Sequence, residues 1–467
     1  MNGFRRLTDY LGSSYWFLPT VMALAAVVLA GGMVALDTMV GSKWMGSYVW
    51  LYASRPDGAR QVLASIGGSM ITVAGTVFSV TIAAVVYASG QYGPRLLTNF
   101  MRDRGNQVTL GTFIATYLYC LLVLRTIHSA EESNGYGFVP NLALLVGVVL
   151  ALCSIGVLIY FIHHVPSKLH INSVIEDVGD RLLAGIGERF PRSLGSAPDN
   201  LAATAQSVPA TFQRGSDAVA GERRRIVASV ETGYIQFVDD EAALRLASKH
   251  DLVLRLQYQP GDFVHVGRAL IEASPPERCD DACAKDLCEL FSVASRRSAL
   301  QDLRFLFDEL VEIAARALSP GVNDPFTAVT CIDWLSAALS DLADRDLPSH
   351  LRVDENGQLR VIAHPVTFGS LMDRSFGALA QYCAGDMIAS LRFLDALGEV
   401  LLDCDDPARL ATIRGWADRL EELAGEGLKG FNLARIRARA DELRTALDQP
   451  DYKRRLRDGT AWLAGTA

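Results

Sequence analysis

The stretch Ser65-Ile66-Gly67-Gly68-Ser69-Met70-Ile71-Thr72-Val73-Ala74-Gly75-Thr76-Val77-Phe78-Ser79 lies inside an apolar run from Val62 to Ala88. A run of that length crosses a hydrocarbon core of about 30 Å as a helix, because each residue rises about 1.5 Å. Its hydroxyl residues, Ser65, Ser69, Thr72, Thr76 and Ser79, follow one another at steps of four, three, four and three. That spacing keeps all five on one helical face. Gly68 and Gly75 flank the stripe and narrow the helix, which lets another backbone approach closely. Two readings follow, and they are compatible. The stripe packs one membrane helix on another, as small and hydroxylated residues commonly do. Alternatively, it lines a hydrated path at the axis of a homo-oligomer, where hydroxyls replace part of an ion's water shell.

Three further runs are long enough to span: Trp16 to Leu36, Val108 to Ile127 and Asn141 to Ile162. Together they predict about four transmembrane helices within residues 1–165. The first run follows Arg5 and Arg6, as a signal peptide would. At roughly twenty residues it exceeds an h-region of about 7 to 15, so it reads as a retained signal anchor. Arg5 and Arg6 precede span one, Arg95, Arg102 and Arg104 separate spans two and three, and Lys168 and Arg181 follow span four. These basic flanks predict that the N-terminus and everything beyond the fourth span are cytoplasmic. The loop from Ser129 to Val139, with Glu131 and Glu132 and no Lys or Arg, fits the outer side, while Lys43, Arg55 and Arg60 run against the bias. Tyr15, Trp16, Trp44, Trp50 and Tyr160 fit an interfacial aromatic belt.

Arg125 sits near the outer end of span three, where a guanidinium is costly unless it snorkels to the interface or meets an acid such as Glu131. The other reading makes it a charge at a pore mouth. His163 and His164 close span four on the cytoplasmic side; they are either interfacial groups or a pair that titrates near neutral pH.

Beyond the spans, Ile171 to Phe190 carries Val174, Val178, Leu182 and Ile186 on one stripe and predicts an amphipathic helix. Pro191 to about Ala220 is rich in Ser, Ala, Pro and Gly and reads as a linker, so residues 166–220 form a juxtamembrane helix and linker. Residues 221–275 read as a small β-rich module: strands within Ile226 to Val238, a short helix over Asp240 to Lys249, a strand over Leu252 to Gln257 and a turn at Pro260-Gly261-Asp262. The run Pro260-Gly261-Asp262-Phe263-Val264-His265-Val266-Gly267 is similar to hairpins of small lipoyl-like barrels. No lysine stands at a hairpin tip, so a barrel without that cofactor is expected. Residues 276–467 are expected to be helical, with helices over Leu287 to Ala317 and Ala328 to Leu342 and a bundle from Phe368 through Leu447. The joint Leu318 to Thr327 contains Pro320-Gly321, which turns the chain, Asp324, which can cap the next helix, and Pro325 at its first position. Asn323 and Asp324 there also offer polar atoms to a ligand or a neighbouring subunit. The fold class is thus membrane α-helical, plus a cytoplasmic α+β region with a barrel-like module and a C-terminal helical bundle.

Half of the 467 residues are hydrophobic and the net charge is -8, with Lys and Arg scattered, so no footprint for nucleic acid is present. The eight cysteines fall mostly in helical patterns and do not suggest a disulfide framework. Cys279, Cys283 and Cys288 have helical spacing without a nearby histidine, which argues against a metal site. The chain has no Walker A lysine motif, no strand-borne Gly-x-Gly-x-x-Gly, no Gly-x-Ser-x-Gly and no His-Glu-x-x-His. Acidic pairs such as Asp239-Asp240 and Asp405-Asp406 sit beside turns, as capping groups do. Neither an enzymatic function nor a cofactor is expected.

The Gly-Ser-Met-Ile-Thr-Val-Ala-Gly stretch from Gly68, the loop Tyr92-Gly93-Pro94-Arg95-Leu96-Leu97, the run Asn106-Gln107-Val108-Thr109-Leu110-Gly111-Thr112-Phe113 and the run Ala317 to Ala328 resemble the DUF2254 family of bacterial predicted membrane proteins. The resemblance covers nearly the whole chain and implies a location in the bacterial cytoplasmic membrane. It brings no catalytic residues with it. Two functions are expected. One is a homo-oligomeric channel or pore whose second spans surround an axis passing an ion or small solute, with the cytoplasmic region as a vestibule or regulatory domain. The other is a membrane-anchored sensor or scaffold with a cytoplasmic binding domain and no conduction.

Overall fold

The computed structural model of the chain describes residues 16–40, 56–92, 103–129, 138–190, 208–209, 212, 224–347, 349–364 and 366–458. The flanking residues Arg5, Arg6, Tyr15, Lys43, Trp44, Trp50, Arg55, Arg95, Arg102, Glu131 and Glu132 and most of the expected linker lie outside them. The chain divides into two compact units, Met1–Val174 and Ile175–Ala467.

In the first unit, four long helices carry the apolar runs: α1 (Phe17–Val40), α2 (Pro56–Tyr92), α3 (Arg104–Leu124) and α4 (Asn141–Leu169). Helix is the state hydrocarbon imposes, since it bonds every mid-segment N–H and C=O within the segment. Consecutive helices run antiparallel. Gly67 of α2 meets Cys120 of α3, and Arg60, earlier on α2, donates to the Ile127 carbonyl beyond the end of α3 at 2.8 Å. Two apolar clusters fill the bundle. Ala26, Ala30, Leu63, Tyr119, Cys120, Val123 and Ala143 form one, and Ala74, Val77, Phe113, Phe161 and Val165 form the other. Many large apolar side chains of α1, α2 and α4 point outward, among them Leu24, Val28, Ile71, Phe78, Leu152 and Ile159. In water that surface would be a liability, and in lipid it is the expected outer face.

The second unit begins with α5 (Ile171–Arg189), amphipathic as the sequence predicts, its Ile175, Val178, Leu182 and Ile186 buried. Next come β1 (Arg225–Ala228), β2 (Gly233–Val238), α6 (Asp240–Lys249), β3 (Val253–Leu256), β4 (Phe263–Val264), β5 (Ala269–Ser274), α7 (Asp281–Cys288) and β6 (Phe291–Ala294). After them stand α8 (Leu303–Ala317), α9 (Pro325–Ala343), β7 (Leu351–Val353) and β8 (Leu359–Ile362). Next is a short helical stretch in three pieces: α10 (Phe368–Met372), a π-turn Asp373–Gly377 and α11 (Ala378–Cys383). The chain finishes with α12 (Met387–Leu402), α13 (Pro407–Gly427), α14 (Gly430–Asp448) and α15 (Pro450–Asp458).

The expected barrel is not formed. The strands divide between an open five-stranded sheet, β1-β5-β3-β8-β7, and a three-stranded sheet, β4-β2-β6. Closure fails because β4 is two residues long and β3 spends its free edge on β8, pairing in parallel at Leu254 to Val361. The helix expected over Leu287 to Ala317 is likewise broken: Phe291–Ala294 pairs with β2, and the helix proper begins at Leu303. The Pro260-Gly261-Asp262 turn is present. Gly261 has φ +91 and a side chain there would run into the Asp302 carboxylate, so only glycine fits.

Five helices among the described residues, rather than four, are long and apolar enough to cross a membrane. The fifth is α9, which differs in its surroundings. Cys331, Ile332, Leu335, Ala338, Leu339 and Leu342 are buried among α8 and α12, so protein on several sides explains its composition.

Candidate functional site

On α2 the buried positions are Ala59, Leu63, Gly67, Ala74, Val77, Thr81 and Val85, a set spaced by threes, fours and sevens that defines one packing face. Ser65, Ser69, Thr72, Thr76 and Ser79 are all exposed. At about 100° per residue they fall on the side of the helix opposite the packing face. The glycines report the same division. A Cβ added at Gly68 or Gly75 would meet nothing within 4 Å, whereas one at Gly67 would touch Cys120 at 3.6 Å. Three of the hydroxyls donate to carbonyls four residues back: Thr72 to Gly68 at 2.8 Å, Thr76 to Thr72 at 3.1 Å and Ser79 to Gly75 at 2.8 Å. Their hydrogens are thereby occupied while oxygen lone pairs stay available, so the face offers acceptors along a groove with little steric bulk.

Arg125 is exposed at the C-cap of α3 and lines an open cleft of about 710 Å³ with Asp57, Arg60, Gln61, Ala64, Leu124, Ile127 and His128. Gln61 stands one turn before Ser65 on α2, so the cleft and the hydroxyl face share that end of the bundle. Two ties brace it. His128 and Phe138 exchange backbone hydrogen bonds at 3.1 and 2.9 Å. The Asp37 carboxylate, one turn before the end of α1, accepts from the backbone N–H groups of Leu142 and Ala143 at 3.0 and 2.9 Å. Asp37 therefore caps α4 from another helix, where Pro140 at the N-cap makes no side-chain bond. The sequence reading stopped span one at Leu36 and missed this residue; an acid in the last turn of a span was the available signal.

At the other end, Asp103 caps α3 by accepting from Gly105 and Asn106 N–H groups, and it takes a further bond from His164 Nε2 at 2.9 Å. His164 stacks on Tyr160 with ring centroids 4.8 Å apart. His163 is exposed beside them. Asp103 was also missed, although an aspartate opening an apolar run is a sequence-level cap.

Asn323 and Asp324 belong to the second unit. Asp324 caps α9, accepting from the Thr327 N–H at 3.1 Å and the Thr327 hydroxyl at 2.6 Å, with Pro325 at the first helical position. Asn323 has φ 50 and is exposed, with Val322 and Phe326 beside it. In the same unit Arg297 binds Asp302 at 2.5 Å and Asp308 at 2.6 Å, and Arg374 also binds Asp308 at 2.6 Å. Burial pushes the Asp308 carboxyl up, but Arg374 and Arg297 outweigh it and hold it below the usual aspartate range. Cys279 and Cys283 are buried together, and burial pushes the Cys283 thiol up to about 12. Among the described residues, no group of three or more His, Cys, Asp or Glu side chains is placed to hold a metal ion.

The chain is 30% identical over 424 residues to an uncharacterized protein of Mycobacterium bovis and to uncharacterized proteins of two Mycobacterium tuberculosis strains. Each alignment covers 89% of this chain and 77% of the relative. No solved structure matches it. The family described as predicted membrane protein (DUF2254) matches residues 12–399, and the apolar helices found here fit membrane association. The chain belongs to the DUF2254 family of predicted membrane proteins.

Proposed function

We propose that the protein is a homo-oligomer of the bacterial cytoplasmic membrane in which α2 from each copy turns Ser65, Ser69, Thr72, Thr76 and Ser79 toward a shared axis and lines a hydrated path. The observation that carries this reading is the orientation of the stripe: it lies opposite the face by which α2 packs in its own bundle. Gly68 and Gly75 leave room for a second copy's backbone. Back-bonded hydroxyls present acceptor oxygens that replace part of a cation's hydration shell. Arg125, with Gln61 and His128, stands at one mouth and sets the local charge there. The basic flanks orient the other mouth and the second unit toward the cytoplasm, where that unit serves as a vestibule or regulatory domain.

The test is ion flux through the purified full-length protein in liposomes under varied voltage, pH and tension. Wild type is expected to conduct, and Thr72→Leu, which fills the narrow face, to lose most of the flux while keeping the same melting temperature. Absence of flux under all conditions, or undiminished flux in Thr72→Leu, contradicts the reading. The first of these outcomes favours a membrane-anchored sensor or scaffold.

A further inference from the structure

The opposite, packed face of α2 carries a separate feature. Gly67 of α2 lies against Cys120 of α3 at 3.6 Å from an added Cβ. Seven residues further along each antiparallel helix, Ala74 and Phe113 share one apolar cluster. Another seven residues bring Thr81 level with Asn106, because steps of seven return to the same helical face. The residues of the first two layers are apolar or small. The third is polar.

Thr81 is 1% exposed and Asn106 2% exposed. Neither Thr81 Oγ1 nor the Oδ1 and Nδ2 atoms of Asn106 makes a hydrogen bond with the described residues. Thr81 thus departs from Thr72, Thr76 and Ser79, whose hydroxyls bond back to their own helix. Helix α4 closes the third side: a Cβ at Gly105 would meet His164 and Tyr160, and Phe161 and Val165, next to these two in the chain, border this level from the apolar cluster that holds Ala74 and Phe113. Buried polar atoms are paired in native proteins, by protein or by bound water. The Asp103 carboxylate nearby is engaged by two backbone N–H groups and His164.

We propose that Thr81 and Asn106 form an internal hydration site that holds water within the bundle, between α2, α3 and α4. The donor and acceptor balance selects the guest. An amide offers N–H hydrogens as well as an oxygen, and a hydroxyl serves in both roles, so water satisfies every atom. A bare cation leaves the amide hydrogens unpaired, and an anion leaves the oxygens unpaired. The site also gives the stretch Asn106 to Phe113 a physical division: its polar start hydrates one end of the bundle, and Phe113 packs in the apolar cluster next to it. This inference does not depend on the hydroxyl stripe, which lies on the other side of α2.

Hydroxyl radicals generated by an X-ray pulse form from bound water and oxidise the side chains beside it. We therefore specify radical footprinting of the full-length protein in lipid nanodiscs, with oxidation of Phe161 compared with that of Phe113 so that residue chemistry cancels. Phe161 is expected to oxidise several-fold faster than Phe113 and to fall to the Phe113 rate in the double variant Thr81→Val, Asn106→Leu. Should that variant fail to fold, Thr81→Val alone, nearly isosteric, is expected to lower the Phe161 rate. Equal Phe161 and Phe113 rates in wild type overturn the proposal, as does a Phe161 rate unchanged in Thr81→Val. A Phe161 rate that changes when Na+ and K+ are replaced by a bulky organic cation also overturns it, because the occupant is then an ion.

Discussion

Asp37→Ala removes the cap that α1 provides to α4. The first-turn N–H groups of any helix lack intrahelical partners, and at α4 the N-cap residue is Pro140, which has no side-chain donor or acceptor. Asp37 supplies two charge-assisted bonds, to Leu142 and Ala143 at 3.0 and 2.9 Å. Loss of an N-cap costs about 0.5 to 2 kcal/mol. Hydrogen bonds to charged groups contribute about 1.5 to 3 kcal/mol. Because Asp37 is only partly buried and water can replace part of what is lost, a total of about 2 to 3 kcal/mol follows. For a unit of this size each kcal/mol lowers Tm by about 2 to 4 °C, so the loss should be roughly 5 to 10 °C. Asp37→Asn keeps one acceptor oxygen and should lose about half as much. Tryptophan fluorescence during heating in detergent gives the measurement. A Tm for Asp37→Ala within about 1 °C of wild type would show that the α1 to α4 tie carries no stability, and the reasoning fails.

Stability of the second unit should fall in acid through Asp308. Its carboxyl is held below the ordinary aspartate range, so its contribution is complete above about pH 4, the unfolded value, and is lost as pH drops toward the lower folded value. Urea melts between pH 3 and 5 should show this slope weakened in Asp308→Asn; an unchanged slope counts against the Arg297 and Arg374 assignment. At the loop before α9, Asn323→Val places a β-branched side chain at φ 50 and should cost about 1 to 2 kcal/mol, while Asn323→Gly should be neutral. Equal denaturation midpoints for the two variants would refute the strain argument.

Much of the membrane unit was readable in the sequence because hydrocarbon leaves few choices: an apolar run of about twenty residues becomes a helix. The hydroxyl stripe was readable for the same reason, as a period of 3.5 fixes a face. Its direction was not, because periodicity defines a face without saying what that face meets. The partners of the polar ties were hidden. Asp37 and Asp103 are ordinary acids in sequence, and only the fold brings them to α4. In the second unit the misreadings are non-local. Leu359–Ile362 becomes a strand because it finds β3 about a hundred residues earlier, and Phe291–Ala294 because β2 offers an edge. Short strands fixed by distant partners leave little local trace. The capped turn at Asp324-Pro325 was readable because its chemistry lies within four residues.

Cysteine scanning of α2 in native membranes gives the decisive reading. In a background with Cys153→Ser, the native cysteine that is exposed, single cysteines would be placed along residues 65–79 and treated with a membrane-impermeant cationic thiol reagent. If α2 lines a hydrated path, Ser65→Cys, Ser69→Cys, Thr72→Cys, Thr76→Cys and Ser79→Cys react, while Ile71→Cys and Phe78→Cys in lipid and Ala74→Cys in the bundle do not. Stripe positions no more reactive than Ile71→Cys and Phe78→Cys would mean the face meets lipid or dry protein, and the path does not exist.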